Sequence, residues 1–247
     1  MNPNRIARMG TKGNFRSLRY GIANMSKISS ASVDWWLSGG IDSANVAGVW
    51  QPKGAASLDA SYLRLAGDEG YADIDPAVVG GVAPTWDAVN GWISNGTTQY
   101  LKTGIIPPLR GVWGGIIRFS NATINGYKTI FGARKLGNID MFVDISNRGT
   151  SVVTRNGVDG HTAVSPALAN GTYFLNGTDA YRNGVFEASA VPDPYANVND
   201  IQLYIMCMHD RDIWHSFYAG NIQAIAFYKA TLTAPQVLAV SNAMALL

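Results

Sequence analysis

"FYAGNIQAIAFYK", residues 217–229, decides the fold. With a period of two, Ile222, Ala224, Ala226 and Tyr228 share one face, and Gln223, Ile225, Phe227 and Lys229 share the other. Apolar residues on both faces describe a strand inside a sheet that is covered on each side. Working back from it, "QYLKTGI", "GVWGGIIRFS", "YKTIFGA", "NIDMFVDI", "TSVVT", "GTYFLN", "DAYRNGVFE" and "IQLYIMCM" read as further strands, rich in β-branched and aromatic residues. Asn-Gly steps at 90–91, 95–96, 125–126, 156–157, 170–171, 176–177 and 183–184 punctuate them. This pair tolerates positive φ at both central positions of a tight hairpin turn, so the chain reverses repeatedly into antiparallel strands. Two sheets packed face to face accommodate so many strands.

Flanking segments complete the reading. "SVDWWLSGGI" and "NVAGVWQPKG" read as short extended pieces, and Ser57 caps a brief helix in "LDASYLRLA". After the central strand, "TAPQ" (233–236) fits a capping box with Pro235 in the first turn. Val237, Val240, Met244 and Leu247 then recur at helical spacing, so a short C-terminal amphipathic helix packs on a sheet.

Apolar residues make up 47% of the 247, enough for a sizeable core, while charged residues are only 15%, so Asn, Ser, Thr and Gly must form much of the surface. The single cysteine, Cys207, excludes an internal disulfide and reads as a core thiol in a strand. No apolar run is long enough to span a membrane, and no classical signal peptide is read at the N-terminus. The net charge of +2 hides an asymmetry: residues 1–33 carry Arg5, Arg8, Lys12, Arg16, Arg19 and Lys27 without an acid. Residues 1–40 therefore read as an extended basic arm that docks on other subunits of an assembly, and 41–247 as the folded domain. Only Phe15 and Tyr20 accompany the first charges, which leaves nucleic acid the least favoured partner.

Two passages carry a family resemblance: "APTWDAVNGWISNGTTQYLKTGI" (83–105) and "FYAGNIQAIAFYKATLTAPQVLAVSNAMALL" (217–247). They resemble the opening strands and the closing strand and helix of laminin-G-type, concanavalin A-like jelly-roll domains as found in bacteriophage structural proteins. The resemblance spans about residues 45–247 and implies an all-β, two-sheet antiparallel jelly-roll sandwich. It also implies a module that binds carbohydrate or protein on a tail fibre, capsid decoration or other particle surface. Together with the basic arm and the lack of a catalytic motif, this points to a non-enzymatic structural or surface protein of a virus particle or similar extracellular assembly, a homo-oligomer with a surface glycan as a further ligand. The alternative is a free-standing carbohydrate-binding lectin module, and the third reading a glycoside hydrolase. The calcium ligands of better-known members have no position-by-position match here, so no cofactor is assigned.

For chemistry, Asp140 and Asp144 share a face of "NIDMFVDI", whereas Glu69 and Glu187 stand far apart without acidic alternation. His161, His209 and His215 sit in no recognised nucleophile setting, and no catalytic residue is assigned. The densest polar cluster is "MHDRDIWHS" (208–216), read as a ligand-binding loop. His209, Asp210, Asp212 and His215 offer metal-type donors, while Arg211 and Trp214 suit a sugar or an acidic group. Sequons at Asn95, Asn121, Asn170 and Asn176 are explained by turn chemistry rather than glycosylation.

Overall fold

The computed structural model describes residues 34–69, 73–107, 112–135, 141–148, 151–157, 161–164, 167–189, 202–210 and 213–247. The chain divides at Asp34, and the unit from Trp35 to Leu247 holds the elements below. The six basic residues of the arm lie outside the described residues. Expected as part of that arm, Trp35 and Trp36 instead belong to the folded unit: "WWL" is a 3-10 helix, not an extended piece. Its indoles need burial, and they find it in one apolar cluster with Val237, Val240 and Met244.

The unit is mostly β, with two sheets and few helices. The first sheet runs Val185–Ser189, Asp179–Arg182, Gly171–Asn176, Gly114–Ser120, Ala219–Tyr228, Val46–Trp50 and Ala66–Gly67, with Gly91–Asn95 also on the central strand and Thr85–Asp87 beside it. The second runs His161–Val164, Ser151–Gly157, Met141–Arg148, Tyr127–Lys135, Tyr204–Ile205, Tyr100–Lys102 and Gly81–Val82, and carries the hairpin Met208–Asp210/Ile213–His215. Strand pairs are antiparallel except Met208–Asp210, which runs parallel to Tyr127–Lys135.

Ala219–Tyr228 is central, paired with Gly114–Ser120 on one side and with Val46–Trp50 and Gly91–Asn95 on the other. Its simple alternation fails at one point. Ile222 faces Phe119 and Ala224 faces Arg118, so Gln223 is the extra residue of a β-bulge. Ile222, Ile225 and Phe227 consequently join the core shared by both sheets, with Trp50, Trp92, Trp113, Ile117, Phe131 and Ile205. Ala224, Ala226 and Tyr228 face the other way, toward the C-terminal helix Ala234–Ala245. That helix begins as its sequence dictates: Gln236 Oε1 accepts from the Thr233 backbone N–H at 2.9 Å, and Val237, Val240 and Met244 are buried.

Two local expectations take a different form. "IQLYIMCM" is broken at Met206, whose φ is +73°, so Cys207 lies between two short strands, buried, with its thiol pKa pushed up by desolvation. Among the described residues, positive φ at both positions of an Asn-Gly step occurs at Asn183 (+50°) and Gly184 (+79°), the hairpin turn. A Cβ on Gly184 would also lie 2.9 Å from Leu238 Cδ1 of the C-terminal helix. Gly184→Ala is therefore expected to lower stability by about 1–2 kcal/mol in urea denaturation, the cost of a left-handed L-residue; a change under about 0.3 kcal/mol would contradict this turn geometry.

Candidate functional site

The hairpin expected to bind ligand separates its residues onto two faces. His209 and Trp214 are directly opposed across the strands and so share a face. Trp214, 38% exposed, stacks on Tyr100 at 5.4 Å and 18°, and the His209 ring lies 4.1 Å from that of Tyr204. This is a small aromatic shelf at the margin of the second sheet. Asp210 is 5% exposed, with Oδ2 3.4 Å from Arg134 Nη1 and 3.6 Å from His215 Nε2. His215 Nδ1 is 2.8 Å from Ser216 Oγ, and Ser216 has φ +57°. The carboxylate–imidazole separation exceeds a hydrogen bond, so the series Asp210–His215–Ser216 is not a closed proton relay. Arg211 and Asp212 lie outside the described residues. Among the described residues no group of three or more His, Cys, Asp or Glu side chains could hold a metal ion.

The carboxyl pair considered for hydrolysis is not placed: Asp140 lies outside the described residues, and only the backbone of Asp144 is described. Glu187 is held by Arg182 at 2.6 Å, and Glu69 is exposed.

A second site has no counterpart in the linear reading. Between the outer face of the first sheet and the C-terminal helix lies a cleft of about 370 Å³, lined by Arg118, Phe119, Ser120, Asn170, Gly171, Thr172, Asn183, Gln223, Ser241, Asn242 and Ala245. Its floor follows from register. Arg118 stands directly opposite Thr172 on one neighbouring strand and Ala224 on the other, and the bulge turns Gln223 out beside Ala224. The turn asparagines shape one wall: Asn183 Oδ1 accepts from the Thr172 N–H at 2.9 Å, and Asn170 Oδ1 accepts from the Asn121 N–H at 2.9 Å.

The polar inventory of this cleft is under-used. Gln223 is 6% exposed, and its amide makes no hydrogen bond among the described residues. The hydroxyls of Thr172 and Ser241 are buried and also lack a hydrogen-bond partner there. Arg118 Nη1 donates to the Met244 carbonyl near the end of the C-terminal helix, leaving its other guanidinium N–H groups to the cleft. Burial lowers the pKa of Arg118. Lys53, whose backbone N–H donates to Gln223 O at 3.2 Å, has its own pKa lowered by desolvation and then by the charge of Arg118. Neither cation forms an ion pair among the described residues. Buried polar groups left without partners are costly, and a concave site where several converge is the usual signature of ligand binding.

No protein-family model and no curated protein matches the sequence. Among solved structures, the chain is similar to a mutant of Trypanosoma rangeli sialidase displaying trans-sialidase activity, with a TM-score of 0.54 at 12% identity over 93% of this chain and 38% of that one. It is also similar to Trypanosoma rangeli sialidase in complex with sialic acid, with a TM-score of 0.51 at 13% identity over 81% of this chain and 33% of that one. The chain thus spans little more than a third of their length, and at such identity the likeness is one of fold. It corrects two expectations. The reading as a structural protein of a virus particle is set aside, because these neighbours are sialidases. The exclusion of enzymatic activity falls with it, since a fold that sialidases carry gives no ground for that exclusion.

Proposed function

We propose that this chain is a carbohydrate-binding module, a lectin-like jelly roll of the concanavalin A type, and that its glycan site is the cleft between the first sheet and the C-terminal helix. The observation that carries the proposal is the Gln223 amide, almost fully buried, free of hydrogen bonds among the described residues and set in the cleft by a bulge. An amide presents paired donors and an acceptor, which match adjacent sugar hydroxyls, and Arg118 and Asn242 supply further polar contacts. The fold likeness to sialidases supports a carbohydrate setting without assigning a substrate. The aromatic shelf is the competing surface, because Trp214 presents a partly exposed ring to stack against a sugar.

A glycan array probed with the full chain tests the reading and, with two variants, its location. Binding to a restricted set of glycans is expected, with Gln223→Leu weakening it about tenfold through the loss of hydrogen bonds made in a desolvated site. Trp214→Ala is expected to leave that affinity unchanged. The opposite pattern moves the site to the hairpin, and an array without any bound glycan overturns the proposal.

A further inference from the structure

We infer that the cleft selects glycans bearing an oxyanion, a carboxylate or a sulfate, which Arg118 grips and Lys53 reinforces; the inference rests on the carbohydrate reading of the same site. Lys53 stands beside the cleft rather than in its lining, its backbone N–H bonded to Gln223 O at 3.2 Å, and its pKa is lowered by desolvation and then by the charge of Arg118. With no acid paired to either cation among the described residues, the fold does not neutralise their positive charge. Arg118 is pre-positioned for this role. Its side chain rises from the middle of a paired strand, and one of its N–H groups is anchored on the Met244 carbonyl. A guanidinium fixed in this way loses little freedom on binding and presents its remaining donors as a planar fork suited to two oxygens of one anion. The partial burial that lowers its pKa also reduces solvent screening, which strengthens the attraction to an incoming anion. Gln223 and the Thr172 and Ser241 hydroxyls surround this charge with neutral polar groups, so the cleft suits a ligand with one acidic substituent on a hydroxylated body better than a polyanion.

The test is a calorimetric titration of the full chain with three oligosaccharides of equal length: one neutral, one containing uronic acid, one sulfated. At least one acidic oligosaccharide is expected to bind about tenfold or more tightly than the neutral one, and which one does so distinguishes carboxylate from sulfate. Raising the salt concentration should erode that preference while leaving neutral binding intact. Arg118→Gln should abolish the preference. Since that change also removes the contact to Met244 O, thermal unfolding is measured in parallel, and Lys53→Gln, at a half-buried side chain without such a contact, should reduce the preference several-fold in a folded protein. Equal affinity for neutral and acidic oligosaccharides, or a preference that survives both substitutions, overturns the inference and leaves the carbohydrate reading standing. Absence of binding to all three overturns both.

Discussion

Phe227→Ala is expected to reduce the free energy of unfolding by about 3–5 kcal/mol in urea denaturation, the range for truncating a fully buried aromatic side chain. Phe227 is 1% exposed and connects the two sheets: its ring meets Phe131 of the second sheet edge-on at 5.3 Å and 88°. It also packs at 6.4 Å from both Trp50 and Trp113. Gly115 makes room for this arrangement, since a Cβ there would come within 3.0 Å of Phe227 Cδ1 and Phe131 Cζ. The surrounding rings are large and come from separate segments, Trp50 and Phe131 from strands and Trp113 from the residue just before one, so they cannot collapse into the vacated volume, and the cavity penalty adds to the lost transfer energy. Against a typical domain stability of about 5–15 kcal/mol, such a loss removes a large part of the total. A measured loss under about 1 kcal/mol would mean that the sheets are not held together at this point.

Gly91→Ala is expected to cost about 3 kcal/mol or more, and to weaken glycan binding in the protein that still folds. Gly91 has φ +78°, and a Cβ there would sit 2.3 Å from the Ile222 carbonyl oxygen and 3.2 Å from Gln223 Cα. The obstacle is backbone, so no rotamer change relieves it. Either Gly91–Asn95 separates from the central strand, or the bulge that presents Gln223 shifts. Thermal unfolding together with titration against the same glycan separates these outcomes. A variant with wild-type stability would contradict the close approach, and a destabilised variant with wild-type affinity would place the glycan away from Gln223.

The local features of this fold were legible because they rest on neighbouring residues. Asn183-Gly184 adopts the left-handed geometry that the pair tolerates, Ser57 accepts from the Ala60 N–H at 3.1 Å as a cap, and Thr233 to Gln236 starts the last helix where the chain changes period. "WWLSGG" misled because two adjacent tryptophans suit a strand as well as a helical turn. The choice was made by burial, since both indoles join one apolar cluster with Val237, Val240 and Met244 of the last helix. The hairpin at 208–216 was legible as a polar cluster, yet the separation of His209 and Trp214 from Asp210 and His215 required the cross-strand register.

The cleft was the least legible feature. Its floor unites Arg118, Thr172, Gln223 and Ser241, which come from three strands and a helix distant in sequence, and strict alternation placed Gln223 on the face of Ile225 and Phe227. An extra residue in a strand leaves no local trace, because a bulge is defined only by the strand it pairs with: Phe119 opposes Ile222, and Arg118 opposes Ala224. The sequence by itself therefore determined the β class, the Asn183-Gly184 hairpin and the C-terminal helix, since these follow from φ/ψ preferences and periodicity over a few residues. Only the tertiary structure decided which side chains face one another, and hence that Arg118 and Gln223 share a cleft, because that depends on register between strands far apart in the chain.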